Sequence, residues 1–277
     1  MRRLLVYQAI WAMENTPGID LEQDLDGALD RIFAAGFNGV GVSLGRRERA
    51  QAVADGVAAR GGTWEASAFV RSGSDLAHSL EFAQSRGAHH VNVQILEKRD
   101  RVRDAVALLA EMQEAAQTCD LPVYYETHRG RLTNDLLFTL RVLDEMPDLQ
   151  LTGDLSHYPL VHEFPMPVPE AELARMSRIL ARCAAFHGRV CSSHQVQVSI
   201  MAKQHQPWVE QFQAWWSEGF QSWATRSPPN AELTFMSELG PPSYAITDAA
   251  GGEISDRWAE ALALKSMARA IWDGVAK

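Results

Sequence analysis

One unit recurs along the chain: a helical stretch, a glycine and a short β-rich run. In its first copy, apolar residues at helical spacing over 25–33 lead through Gly36 to the run 37–44, and later copies pass through Gly61 and Gly87. Glycine at this point supplies the left-handed residue that ends a helix before the chain turns into a strand. The repeat therefore indicates helices and strands in alternation.

The alternation extends over the whole chain. Helical patterns cover 25–33, 52–59, 76–85, 99–117, 133–146, 169–186, 207–224 and 255–273, and strand patterns cover 4–10, 37–44, 63–69, 91–95, 124–126, 151–154, 188–194 and 232–238. Strict alternation implies parallel strands joined by right-handed crossovers. Eight such units favour a (β/α)8 TIM barrel, an α/β fold with eight parallel strands, as a single domain over 1–277.

A doubly wound open sheet is the alternative architecture. If such a sheet bound a nucleotide, it would need a glycine-rich phosphate loop after its first strand. After Ile10 the chain continues WAMEN, without a glycine, and neither a dinucleotide motif nor a P-loop motif occurs elsewhere. The sequence therefore does not support a nucleotide cofactor.

Composition and charge exclude several classes of protein. Of 277 residues 46% are hydrophobic, without a run long enough to cross a membrane, so we expect one large soluble core and no membrane partner. Basic residues number 26 against 35 acidic ones, a net charge of -9 with no basic patch, so nucleic acid is not an expected partner. The N-terminal residues do not resemble a signal peptide and the three cysteines form no CxxC pair, which favours a cytoplasmic location.

Four strand patterns end on side chains that bind hard metal ions, namely Glu126, Asp154, His194 and Glu238. Parallel strands of a barrel share one C-terminal mouth, so these groups are expected to converge there on one divalent metal ion. Oxygen and imidazole donors without cysteine suit Mn²⁺ first, then Mg²⁺ or Co²⁺, and they also permit Zn²⁺. Each residue alone is more typical of a solvated loop or a helix N-cap, but four at the same end favour a metal site.

Two histidines near these candidates are positioned to contact a substrate. His128 lies two residues after Glu126 and shares its face if the strand stays extended; its alternative is a surface histidine. His157, three residues after Asp154, reaches the mouth only if the chain turns there.

A tryptophan stripe gives a further candidate. Trp208, Trp215, Trp216 and Trp223 recur on roughly one face of the helical pattern 207–224. Such a stripe usually packs against the barrel or another subunit. The functional alternative is that Trp208 stacks on a sugar ring at the mouth, with Lys203 as a nearby cation that contacts the substrate.

These residues resemble a known family. The ETH at 126–128, the Asp-x-x-His at 154–157, His194 and Glu238 are similar to the xylose isomerase-like TIM barrels. That superfamily includes sugar isomerases, ketose 3-epimerases, hydroxypyruvate isomerase, inosose dehydratase and apurinic endonucleases. The resemblance implies a sugar substrate and a homodimer or homotetramer. It also implies one divalent metal on the four ligand candidates, an acid/base pair of Glu126 and Glu238, and substrate contact by His157.

Such a carboxylate pair suits proton transfer next to a sugar carbonyl. A metal chelated by the carbonyl and a neighbouring hydroxyl stabilises the enediolate. A single carboxylate that serves two adjacent carbons then gives isomerisation, whereas a carboxylate on each side of the substrate gives epimerisation. We therefore expect a divalent-metal-dependent isomerase or epimerase of a small sugar or keto-sugar. The alternatives are a keto-sugar or inosose dehydratase on the same metal site and a non-catalytic sugar-binding barrel.

The chain departs from the family pattern at two points. In the ketose epimerases a basic residue closely follows the seventh-strand histidine, whereas His194 is followed by QVQVSI and the nearest cation is Lys203. The endonucleases use three metal ions with extra histidines on the second and third strands, which end here in Ser43-Leu44 and Ser67-Ala68. A trinuclear cluster and DNA repair are therefore not expected.

Overall fold

The computed structural model describes residues 1–275, in which eight parallel strands close into a barrel surrounded by helices. The strands are β1 (Arg3–Ala9), β2 (Gly39–Ser43), β3 (Thr63–Val70), β4 (His90–Ile95), β5 (Val123–Glu126), β6 (Leu151–Asp154), β7 (Cys183–Gly188) and β8 (Glu232–Ser237). Each strand pairs with the next one along the chain, and β1 closes the ring by pairing with β8. The (β/α)8 barrel predicted from the alternation is confirmed.

The helices lie outside the ring of strands. They are α1 (Leu25–Ala34), α2 (Arg47–Ala59), α3 (Gly73–Ser85), α4 (Val102–Ala116), α5 (Leu136–Glu145), α6 (His157–Val161), α7 (Glu170–Leu180), α8 (Gln206–Arg226) and α9 (Arg257–Val275). The repeat glycines Gly36, Gly61 and Gly87 have φ values of 79°, 65° and 67° directly after helices, as the helix-ending role requires. Within residues 1–275, no helix combines the length and the apolar character needed to span a membrane.

The sequence prediction is wrong for the seventh strand. The pattern predicts a helix over 169–186 and a strand over 188–194, whereas α7 ends at Leu180 and β7 begins at Cys183. Ala184 and Ala185 lie in β7 although alanine is the strongest helix former. Pairing with β6 on one side and β8 on the other overrides this local preference, and the residues after Gly188 form a loop.

The large hydrophobic core lies between the sheet and the helices. Among its fully buried members are Phe186, Trp216 and Phe235, and the ring centroids of Trp216 and Phe235 lie 5.1 Å apart, edge to face. The tryptophan stripe of α8 is buried in this core, as its packing interpretation predicts. Apolar burial of this kind is the main favourable contribution to folding.

The interior of the barrel combines buried polar side chains with a small apolar cluster that includes Tyr7 and Met236. Its inward-facing side chains include Glu65, His90, Asn92, Glu126 and His187, none of which is more than 2% exposed. Barrel interiors are usually filled by branched aliphatic residues. Because buried polar groups cost free energy unless they are paired, these side chains hydrogen-bond to one another, and they position the donors at the mouth of the barrel.

Replacing Trp216 by Ala should lower the free energy of unfolding by about 3–5 kcal/mol, because it empties a fully buried aromatic site. Urea unfolding followed by circular dichroism would measure the loss. Met201→Ala, at a side chain that is 58% exposed, is the matched control and should change stability by less than about 0.5 kcal/mol. Similar losses for the two variants would contradict this description of the core.

Candidate metal centre

The mouth at the C-terminal ends of the strands brings four side chains to one point. Glu126 ends β5, Asp154 ends β6, His187 lies near the end of β7 and Glu238 directly follows β8. One donor atom from each lies within 4.8 Å of the others, and all four residues are buried. The structure thus brings together the three carboxylates that the sequence places at strand ends.

His187 occupies the position expected for His194. In the sheet register His187 pairs with Asp154, and the carbonyl of Gly188 accepts a hydrogen bond from the backbone N–H of Glu238. His194 is exposed in the loop after β7 and is not among the four. His187 therefore replaces His194 as the fourth ligand candidate, because the segment expected to carry His194 to the mouth as a strand is a loop.

An extra residue in β7 determines that the His187 side chain points into the barrel. Leu151 pairs with Cys183 but Thr152 pairs with Ala185, so that Ala184 is additional on β7. A bulge of this kind shifts the alternation of inward and outward side chains. The available sequence signal was the short apolar run ending in His-Gly, but the bulge that aims the histidine inward depends on the neighbouring strand.

Glu126 is surrounded by amide donors and by like charges. The side-chain amide of Gln94 lies 3.0 Å from both carboxylate oxygens, and the amide of Asn92 donates to Oε2. Burial, together with the negative charges of Glu238 and Asp154, raises the pKa of Glu126 to about 8. This carboxyl therefore depends on neighbouring positive charge to be ionised at neutral pH.

Arg189 supplies positive charge on the other side of the cluster. Its Nη2 lies 2.8 Å from Glu238 Oε2 and its Nε lies 3.5 Å from Asp154 Oδ2. Burial alone would raise the pKa of both carboxyls, but Arg189 and the neighbouring histidines outweigh it and lower the pKa of each. Arg189 also follows His187 by two residues, so the basic residue missing behind His194 is present behind the histidine that reaches the mouth.

A buried chain of hydrogen bonds supports His187 from below. The carboxylate of Glu65 lies 3.1 Å from His187 Nε2 and 3.0 Å from His90 Nε2. His90 continues to His89 through an Nδ1–Nδ1 distance of 3.0 Å, and His89 Nε2 lies 3.1 Å from Glu232 Oε2. Although burial opposes it, the charges and hydrogen bonds of His187 and His90 hold the pKa of Glu65 well below its usual value. Glu65 is therefore an ionised partner of His187.

The cluster has the donor set of a divalent metal site. Among residues 1–275, Asp154 Oδ2, Glu238 Oε2 and His187 Nδ1 are buried without an aligned hydrogen bond. Because Glu65 engages Nε2, the Nδ1 atom of His187 faces the cluster, 3.1 Å from Glu238 Oε2. A carboxylate that orients a metal-binding imidazole in this way is a common arrangement. A divalent cation would offset the mutual repulsion of the carboxylates and satisfy these atoms, so the residues present fit such an ion.

His128 and His157 lie beside the cluster, where the sequence predicts substrate contacts. His157 Nε2 lies 3.1 Å from Asp154 Oδ2, and its Nδ1 accepts a hydrogen bond of 3.0 Å from Arg129. The ring centroids of His128 and His157 are 3.9 Å apart, and with Glu126 they form a second group of potential donors. Burial and then His157 lower the pKa of His128 to about 3, which keeps this imidazole neutral.

The other two substrate candidates lie in different surroundings. Trp208 is 7% exposed and packs in the hydrophobic core, and Lys203 is exposed in a short 3₁₀ helix. The tryptophan that contacts the cluster is Trp11, whose Nε1 donates to Glu238 Oε1 at 3.2 Å and whose ring packs edge-on against Tyr244. Its position just beyond the first strand was the only sequence signal for a role at the mouth.

Comparisons with known proteins establish the fold. No protein-family model matches the chain, and no curated protein matches it in sequence. A xylose isomerase-like TIM barrel protein from Mycobacterium smegmatis, in complex with magnesium, has a TM-score of 0.58 at 13% identity, over 95% of this chain and 97% of that one. A dihydrodipicolinate synthase has a TM-score of 0.51 at 11% identity, over 98% and 78%. At the level of fold, the resemblance to xylose isomerase-like TIM barrels is confirmed, and fold alone does not determine activity.

Metal binding distinguishes His187 from His194. His187→Gln should weaken Mn²⁺ binding by more than about 100-fold, since losing only an outer partner of a ligand already costs about 10–100-fold. His194→Gln should bind Mn²⁺ like the unaltered protein. Calorimetric titration of metal-depleted protein would measure both. Loss of binding in the His194 variant but not in the His187 variant would contradict the geometry.

Glu65→Gln tests whether the buried chain orients the metal-binding imidazole. The neutral amide cannot reproduce the ionised acceptor at His187 Nε2, so Mn²⁺ affinity should fall by about 10–100-fold. Glu260→Gln is the matched control, because Glu260 is also buried but contacts Ser199 in another part of the molecule. Unchanged affinity in a folded Glu65 variant would exclude this orienting role.

Proposed function

We propose that the protein is a divalent-metal-dependent enzyme that moves a proton next to the carbonyl of a small sugar or keto-sugar, as an isomerase or epimerase. The observation that supports this most directly is the meeting of Glu126 and Glu238 with Asp154 and His187 at one buried point. Burying three carboxylates together costs considerable free energy, and a bound divalent ion that serves the reaction accounts for that cost.

The proposed metal ligands are Glu126, Asp154, His187 and Glu238. A divalent ion on these donors would polarise a substrate carbonyl and stabilise the negative charge that develops on its oxygen. We propose Mn²⁺, with Mg²⁺, Co²⁺ and Zn²⁺ as alternatives that the same donors accept. The magnesium in the Mycobacterium smegmatis protein supports an ion of this class.

Glu126 and Glu238 are the proposed acid/base pair. They come from the fifth strand and from the end of the eighth, so they can approach a substrate in the mouth from different sides. The amides of Asn92 and Gln94 orient Glu126, and the indole of Trp11 orients Glu238. If one carboxylate takes a proton from carbon and the other returns one to the opposite face, the product is an epimer. If a single carboxylate serves two adjacent carbons, the product is an isomer.

His128 and His157 are the proposed substrate contacts. Arginine cannot accept a hydrogen bond, so the contact with Arg129 assigns the lone pair of His157 to Nδ1 and its hydrogen to Nε2. That N–H faces Asp154 Oδ2 at 3.1 Å, so the imidazole borders the cluster where the proposed substrate would bind. The edge-on pair of Trp11 and Tyr244 provides the aromatic surface at the mouth that the buried Trp208 does not.

Solvent deuterium exchange tests the proposal. Mn²⁺-loaded protein in D₂O should label the carbon next to the carbonyl in at least one member of a panel of ketoses and keto acids, and EDTA should abolish the labelling. Mass analysis of the same samples separates an isomerase or epimerase from a dehydratase, because only the dehydratase product has lost water. A panel that remains unlabelled with the metal bound would refute the proposal.

The Glu238→Gln variant tests the proposed acid/base role. At saturating Mn²⁺ the exchange rate should fall by about 10²–10⁴-fold, the usual contribution of a general base. Glu218→Gln, at an exposed position of α8 away from the cluster, is the control and should exchange normally. Metal content measured in each sample distinguishes loss of the base from loss of the ion. Normal exchange in a metal-loaded Glu238 variant would exclude its role as base.

A further inference from the structure

Two arginines at the mouth have no acidic partner. Arg129 and Arg131 follow β5 and are half-buried, and no carboxylate of residues 1–275 lies within 4.0 Å of either guanidinium. Most other arginines that contact a polar side chain form an ion pair with an aspartate or a glutamate. Examples are Arg60 with Asp26 and Asp30, Arg71 with Glu97, and Arg178 with Asp144.

Both guanidinium groups are nevertheless held in place, by neutral groups. Arg129 donates to His157 Nδ1 at 3.0 Å and lies 5.2 Å above the ring of Tyr244. Arg131 donates from Nε to Gln94 Oε1 at 2.9 Å and lies 5.9 Å from the ring of Phe69. Ordering a long cationic side chain costs conformational entropy, and partial burial costs hydration. A negative group supplied from outside would offset both costs.

Each of the two arginines is one side chain away from a cluster carboxylate. His157 lies between Arg129 and Asp154, and Gln94 lies between Arg131 and Glu126. The arginines therefore border the place where the substrate of the proposed enzyme binds. Each makes a single side-chain hydrogen bond, which leaves most of its five N–H donors for a planar or tetrahedral oxyanion.

The third arginine at the mouth has a different role. Arg189 is 2% exposed and lies against Glu238 and Asp154, whose charges it offsets. With a divalent ion and Arg189 balancing the three ligand carboxylates, the charges of Arg129 and Arg131 remain in excess around the mouth. Electrostatic complementarity then favours an anionic substrate over a neutral one.

We propose that the substrate is anionic: a keto-sugar acid or a sugar phosphate whose oxyanion is bound by Arg129 and Arg131 while its carbonyl end lies at the metal centre. This inference rests on the proposed function, which it narrows from small sugars in general to acidic ones. Carboxylate and phosphate share the oxyanion chemistry that a guanidinium recognises.

Three ketohexoses that differ only at C6 test the inference: D-fructose, D-fructuronate and D-fructose 6-phosphate. Binding of each to Mn²⁺-loaded protein is measured by calorimetry, and α-proton exchange in D₂O is followed in parallel. At least one of the two anions should bind about tenfold or more tightly than fructose, the range expected for a charge-assisted contact. Whichever of the two anions binds more tightly identifies the recognised oxyanion as carboxylate or phosphate.

Arg129→Gln and Arg131→Gln should each weaken binding of that anion by about tenfold more than they weaken binding of fructose. Arg141→Gln removes the same charge from the exposed face of α5 and should change neither. Fructose binding as tight as that of both anions would overturn the inference, and so would variants that bind the anion normally. Exchange into fructose would then still uphold the proposed function. Anion binding that depends on the two arginines, without exchange in any sugar, would uphold the anion site and refute the proposed reaction.

Discussion

Negative charge buried inside the barrel is the constraint on which the rest of the structure depends. Glu65, Glu126, Asp154 and Glu238 are at most 7% exposed, and an ionised carboxylate without compensation would be too costly at such positions. Neighbouring groups stabilise these charges: imidazoles lie beside Glu65, amides beside Glu126 and a guanidinium beside Glu238. The buried polar side chains therefore surround these charges as partners, and the donor atoms of the cluster fit a divalent ion as a further partner.

The barrel interior and the layer between the sheet and the helices contribute differently to the structure. The apolar core lies between the sheet and the helices, where Phe186, Trp216 and Phe235 pack together, and it supplies the stability. Inside the barrel, polar contacts fix the directions of the donor side chains, beside a small apolar cluster that includes Tyr7 and Met236. Three of the four donors project from paired strands, and sites built on strands are held more precisely than sites on loops.

The positive charges at the mouth also divide into two kinds. Arg189 is buried and belongs to the cluster, since its charge lies directly against Glu238 and Asp154. Arg129 and Arg131 lie around the cluster, bound only to neutral groups. A site that needed its cations only for internal balance would place them all like Arg189. The arrangement instead resembles a binding surface that is prepared for charge on an incoming molecule.

The sequence by itself determined the alternation of helices and strands, and through it the barrel, because hydrophobic periodicity and helix-ending glycines such as Gly36 are local signals. It also placed Glu126, Asp154 and Glu238 at strand ends, since parallel strands share one mouth. Only the tertiary structure decided that His187 and not His194 joins them. The alanines before His187 favour a helix, and both the strand and its bulge come from pairing with β6 and β8. The partnership of Glu65 with His187 likewise depends on packing across the barrel between residues far apart in the chain, which no local pattern encodes.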